Sequence, residues 1–97
     1  MDIYRMYRRS QYLDATKYKV GDVVGVPTID DDNNKIYLEG RVEQISNIIE
    51  RGVPTFMYYA VVTEDNDFIP QGKADWYSEN DLAAEPTPME MTARRSK

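Results

Sequence analysis

Gly40-Arg41-Val42-Glu43-Gln44-Ile45, followed by Ile48-Ile49-Glu50, Arg51-Gly52-Val53-Pro54 and Thr55-Phe56-Met57-Tyr58-Tyr59-Ala60-Val61-Val62-Thr63, is the stretch on which the fold turns. Its second half has the highest β propensity of the chain, because β-branched and aromatic side chains fit a pleated, half-buried surface. Alternation puts Tyr58, Ala60 and Val62 on one face and Tyr59 and Val61 on the other. Apolar groups on both faces predict a central strand. Val42 and Ile45 stand three apart, so a strand that buries both must carry a bulge or bend between them. Arg51-Gly52 supplies a residue that tolerates positive φ, and the two strands are joined by a turn within Glu50–Pro54.

Working outward, Lys19 to Val26 reads as a first strand, entered through a Gly21-Asp22 turn. Val24 and Val26 face one side and Val23 the other. Gly25 inside a strand marks a bulge or a close backbone approach, and Pro27 ends the pairing or marks an edge. Asp30 to Asn34 is a loop by composition. Its Asp30, Asp32, Asn34 spacing imitates the start of a calcium loop. Lys35 stands where the sharp-turn glycine belongs, and Arg41 where the closing bidentate Glu belongs, so a solvated acidic loop is the better reading. Glu64 to Asp67 is a second acidic turn, Phe68 to Lys73 an irregular excursion, and Ala74 to Ser78 a fourth short strand. Ser78 to Leu82 resembles one capped helical turn, with Leu82 closing the end of the core.

The ends differ from the middle. Residues 1–18 gather Arg5, Arg8, Arg9 and Lys17, with Ile3, Met6, Tyr7 and Ser10 at helical spacing. Two readings stand: a short helix over about residues 2–13, or a frayed basic arm that packs one or two tyrosines on the sheet. Residues 85–97 carry Pro86, Pro88 and a basic end without periodicity, and read as a disordered tail. The expected organisation is therefore an arm (1–18), a β domain (19–84) and a tail (85–97).

Composition narrows the function. The chain has 97 residues, no cysteine and no histidine. Disulfides, thiolate metal sites, His-containing zinc sites and Ser-His-Asp or Cys-His triads are excluded. The carboxylates cluster in loops, where little pushes their pKa values apart, and no glycine-rich phosphate loop is present. We expect no enzyme and no cofactor. No apolar run is long enough to span a bilayer, and the first residues build no signal-peptide core, so no membrane is expected and the cytoplasm is the default location. A net charge of -5 opposes direct nucleic-acid binding, because phosphates meet a repulsive mean field.

The order Gly21-Asp22-x-Val24-x-Val26, Gly40-x-Val42-x-x-Ile45, Tyr59-x-Val61-x-Thr63-x-Asp65 and Trp76 before Asp81-Leu82 resembles an SH3-like small β-barrel of the Tudor, chromo or KOW kind. The resemblance covers residues 19–84 and implies a mainly β fold, a single barrel of about five strands. Fold alone does not license function. Tudor-like readers are similar in setting aromatics around a cation. Tyr37, Tyr58, Trp76 and Tyr77 are the candidates for such a cage, with Asp65 or Asp67 as counter-charge. The first loop, Thr28 to Asn34, lacks the aromatic such cages use. Packing of these rings in the sheet is the simpler reading.

Three functions follow as expectations. The first is a protein-binding module or adaptor, with Tyr4, Tyr7, Tyr12, Tyr58, Trp76 and Tyr77 as contacts, because Tyr and Trp are enriched in hot spots. Small acidic single-domain chains of this kind are frequent among accessory factors of viruses and mobile elements. The second is an acidic DNA mimic that occupies the basic groove of a nucleic-acid enzyme, using Asp30, Asp31, Asp32, Glu64, Asp65 and Asp67. The third is a reader of methylated peptide. As a monomer or weak homodimer, the chain would pair through an open edge formed by residues 22–27.

Overall fold

A computed structural model describes residues 16–88. They form one antiparallel sheet of four strands: β1 (Val23–Ile29), β2 (Lys35–Glu50), β3 (Val53–Val62) and β4 (Ala74–Ser78). The strand order is β1-β2-β3-β4, a meander. No helix occurs among the described residues. The helix or arm expected over residues 2–13 lies outside them.

The core sits on one face. Val24, Val26, Ile36, Leu38, Val42, Tyr58, Ala60 and Val62 are buried there, joined by Tyr18 before the sheet and Leu82 after it. Full burial of such side chains contributes about 1.5–3 kcal/mol each, so this face decides the register. The face assignments expected for β1 and β3 hold: Val24, Val26, Tyr58, Ala60 and Val62 point inward, and Val23 is exposed. β3 lies between β2 and β4. The bend expected between Val42 and Ile45 is a bulge: the pairing slips between Val42 and Gln44, which lets Val42 and Ile45 share the core side.

The β2–β3 turn is tighter than the sequence indicated. It consists of Arg51 and Gly52 alone, both at positive φ (52° and 78°), and Glu50 pairs directly with Val53. Both central residues left-handed is the primed geometry that matches the twist of a hairpin. Pro54 consequently sits inside β3, opposite Ile49.

Pro27 does not end β1, which runs on to Ile29. It marks an edge. Gly25 directs its N–H and C=O away from β2, toward Ala83. Pro27, two residues on, is in the same phase, so its missing donor would have faced outward.

Sheet edges are closed by short contacts. Gly25 and Ala83 exchange both backbone hydrogen bonds, at 2.8 and 3.0 Å, as an isolated antiparallel bridge. From there the chain crosses the side of the sheet opposite the core. A Cβ built on Gly25 would lie 2.8 Å from the Glu85 carbonyl oxygen and 2.7 Å from the Tyr37 Cβ. Thr87 N–H then donates to the Tyr37 carbonyl (2.8 Å), and Tyr37 N–H donates to Thr87 Oγ1 (2.9 Å). Thr87, in the stretch expected to be tail, is thus hydrogen-bonded to β2. The edge of residues 22–27, expected open to a second copy, is occupied at Gly25 by Ala83.

β4 is blunted differently. Its Asp75 and Tyr77 pair with Ala60 and Tyr58, so Trp76 and Ser78 direct their N–H groups outward. Asp75 Oδ1 accepts from Trp76 N–H at 2.8 Å, and Asp81 Oδ2 accepts from Ser78 N–H at 3.4 Å. Charged side chains on outward N–H groups discourage strand addition. Residues 78–82 form a turn, not a helical one capped by the Ser78 side chain: Asp81 N–H donates to the Ser78 carbonyl, and Leu82 is buried as expected.

Candidate interaction surface

The meander sorts the predicted aromatics by register. Tyr58 pairs with Tyr77 on the core side, and Tyr59 pairs with Trp76 on the outer side. Tyr58 is fully buried, so it is a core residue and not a surface contact. Tyr77 is half-buried and packs against the same core. Trp76 is 41% exposed and lies on Tyr59, ring centroids 5.1 Å apart and tilted by 49°. Tyr37 shares the outer side with the Gly25 crossing and carries the Lys35 ammonium 5.7 Å above its ring. The four rings considered for a cage thus divide between two faces and do not converge. Tyr4, Tyr7 and Tyr12 lie outside the described residues.

Tyr58 anchors a polar latch at one end of the core. Its hydroxyl accepts from Lys17 N–H (3.1 Å) and donates to Glu79 Oε1 (3.0 Å), and Tyr18 meets its ring edge-on at 5.3 Å. Burial first, then the Glu79 carboxylate, pushes the Tyr58 hydroxyl up to about 12. Burial also raises Tyr77, assisted by the charges of Asp75 and Asp81. A phenol held neutral in this way is a structural donor and offers no base near neutral pH.

The outer side carries what sequence reasoning missed. Beyond the last β1 and β4 partners, β2 and β3 continue as a two-stranded ribbon. Register places Ile48, Met57 and Val53 on the side of Tyr59 and Trp76. Ile48 and Val53 are 40% and 59% exposed. A signal existed in the sequence: alternation through Val53, Thr55, Met57 and Tyr59 puts these residues on one face once the turn is fixed at Arg51-Gly52.

Topology sets the acidic turns at one end of the sheet. The β1–β2 turn and the β3–β4 excursion leave from the same end of a meander. Asp31, Asp32, Asp65 and Asp67 are exposed there. Asp30 and Glu64 have structural duties. Asp30 Oδ1 accepts from Asp32 and Asn34 N–H at 2.9 and 2.8 Å, and Glu64 Oε1 accepts from Glu39 N–H at 2.8 Å. Asn66 orders the excursion: its Oδ1 accepts from Phe68 and Ile69 N–H, and its Nδ2 donates to the Glu64 and Ile69 carbonyls. Among the described residues no group of three or more Asp or Glu side chains is arranged to hold a metal ion, and no helix is long and apolar enough to cross a membrane.

No known protein family, curated protein or solved structure matches this chain.

Proposed function

We propose that this chain is a non-enzymatic protein-binding module whose contact surface is the outer side of the sheet, centred on Tyr59 and Trp76 and extended by Ile48, Met57 and Val53. One observation carries the reading: Ile48, Val53 and Trp76, three of the seven exposed large apolar residues among the described ones, share a face with the tilted Tyr59–Trp76 ring pair. Aligned exposed apolar residues of this kind mark interaction sites more often than scattered ones. Tyr and Trp supply large contact area at low entropic cost. Both sheet edges are blunted, which favours docking on a face over strand addition. The fold is read as a rudimentary SH3-like barrel, in which the Leu82 turn and the Gly25–Ala83 bridge stand for closure and the fifth strand.

The test is affinity capture from the native cell with wild type and Trp76→Ala side by side. The module reading expects a defined protein retained by wild type and lost by Trp76→Ala, with both chains equally folded by denaturation. Equal retention by both would remove the outer face as the surface.

A second reading, an acidic DNA mimic, is favoured by both acidic turns leaving the same end of the meander. It expects a nucleic-acid enzyme as partner, competition by DNA, and steep weakening with salt. Reversal of Asp30, Asp31 and Asp32 would abolish that binding.

A further inference from the structure

Past Val42, the edge of β2 that faced β1 has no described strand beside it. β1 makes its last pair at Arg41, and Gly21 N–H and the Asp22 carbonyl take the carbonyl and N–H of Val42. The hairpin fixes where the next backbone groups point. In a two-residue primed turn the flanking pair, here Glu50 and Val53, exchanges hydrogen bonds, and the pairs then alternate. Gln44, Ser46 and Ile48 therefore bond to β3, whereas Ile45, Asn47 and Ile49 direct N–H and C=O outward. Pro54, opposite Ile49, agrees with this phase, because it has no N–H to give to β2.

Among the described residues, no backbone group meets these three. They also lack the devices that blunt the other edges. Ala83 and Pro27 guard β1, and Asp75 and Asp81 cap β4. Gln44 to Ile49 holds no proline and no charge. An uncovered strand edge of that kind is a template for another strand.

We propose that this edge pairs with the same edge of a second copy of this chain, antiparallel, with Asn47 on the two-fold axis. The backbone is self-complementary there. One two-fold sets Ile45 opposite Ile49, Asn47 opposite Asn47 and Ile49 opposite Ile45, so each outward donor and acceptor gains a partner. The side chains match. Ile49, 73% exposed, comes beside Ile45 of the second copy, which is partly buried against its own core, and the two asparagines meet as a polar pair. The charges match as well. The same register brings Glu43 of each chain level with Arg51 of the other, both exposed, at the two ends of the uncharged run. Tyr59 and Trp76 stay uncovered on the outer side, so the pairing is independent of the partner reading.

The chain has no cysteine, so a single introduced thiol can form a disulfide only with a second copy. Directly opposed residues stand about 5.5 Å apart at their α-carbons, within disulfide reach. The full chain carrying Asn47→Cys is expected to form covalent dimers with oxidised glutathione. Ile48→Cys, whose two copies sit on a diagonal about 7–8 Å apart, is expected to do so at least ~tenfold more slowly. Sedimentation of the unmodified chain is expected to rise toward twice the single-chain mass between about 10 μM and 1 mM. Asn47→Pro removes an outward N–H, leaves the β2–β3 bonds intact and is expected to hold the chain single. A chain that stays single to the top of that range overturns the proposal and leaves the edge to a strand of another protein. So does unchanged dimerisation of folded Asn47→Pro, or equal crosslinking at positions 47 and 48. The crosslink decides the matter even where Asn47→Pro fails to fold.

Discussion

Gly25 and Ala83 are joined by two reciprocal backbone hydrogen bonds across 58 positions of chain, and the segment that follows Ala83 passes directly over the Gly25 α-carbon. The absence of a side chain at position 25 lets the Glu85 carbonyl and the Tyr37 side chain approach together. Gly25→Ala places a methyl within 2.8 Å of both neighbours, backbone on one side and a Cβ on the other. Neither can swing away. We expect a loss of about 1–3 kcal/mol, the usual cost of overpacking, measured by chemical denaturation. Amide exchange at Ala83 and Thr87 should accelerate before the strands open.

Arg51 occupies a left-handed conformation with a Cβ to accommodate. Primed two-residue turns favour Asn or Gly at that first central position. Arg51→Asn should raise stability by about 0.5–1 kcal/mol, read as a shift in denaturation midpoint with unchanged slope. No shift would mean that the Arg51 side chain makes a compensating contact.

Two core tyrosines should behave oppositely. The Tyr58 hydroxyl serves Lys17 and Glu79, whereas the buried Tyr18 hydroxyl has no hydrogen-bond partner among the described residues. Tyr58→Phe should cost about 1–2 kcal/mol, and Tyr18→Phe should be neutral or stabilising. The pH dependence follows from the raised Tyr58 pKa. The unfolded phenol titrates at 10.0 and the folded one at about 12. The stabilisation is fully present below pH 10 and is lost as pH rises through about 12, because the unfolded state releases its proton first. Tyr58→Phe should flatten this alkaline loss and remove a tyrosinate absorbance step near the top of the range.

Asn66 gives the β3–β4 excursion its shape with four hydrogen bonds from one amide. Asn66→Ala leaves the Phe68 and Ile69 N–H groups without their acceptor. A destabilisation of about 1–3 kcal/mol is expected, together with release of Phe68 and Ile69 from the core edge, visible in their amide and side-chain NMR signals.

Much of this fold was legible in residues whose burial depends on alternation alone. Val24, Val26, Tyr58, Ala60 and Val62 declare their face by period two, and the Val42–Ile45 spacing declares the bulge. The closing contacts were not legible. Ala83 and Thr87 join the sheet through backbone groups, and backbone hydrogen bonds leave no compositional trace. Gly25 did signal a close approach, but nothing in the sequence names Glu85 as what approaches. The candidate surface failed for a related reason. Tyr58, Trp76 and Tyr77 look equivalent as a list of aromatics. Only the register, Tyr58 with Tyr77 and Tyr59 with Trp76, sends one pair inward and the other outward. Ile48 and Val53 carry no surface signal of their own, because the length of the free ribbon depends on where β1 and β4 stop.

The central claim is that the outer face, and Trp76 above all, carries the protein partner. Titration of the captured partner into wild type and Trp76→Ala, followed by calorimetry, tests it most directly. The account expects Trp76→Ala to lose at least about 2 kcal/mol, roughly thirtyfold in affinity, with an unchanged denaturation midpoint. Wild-type affinity in Trp76→Ala, with binding abolished instead by charge reversal at Asp30, Asp31 and Asp32, would contradict it.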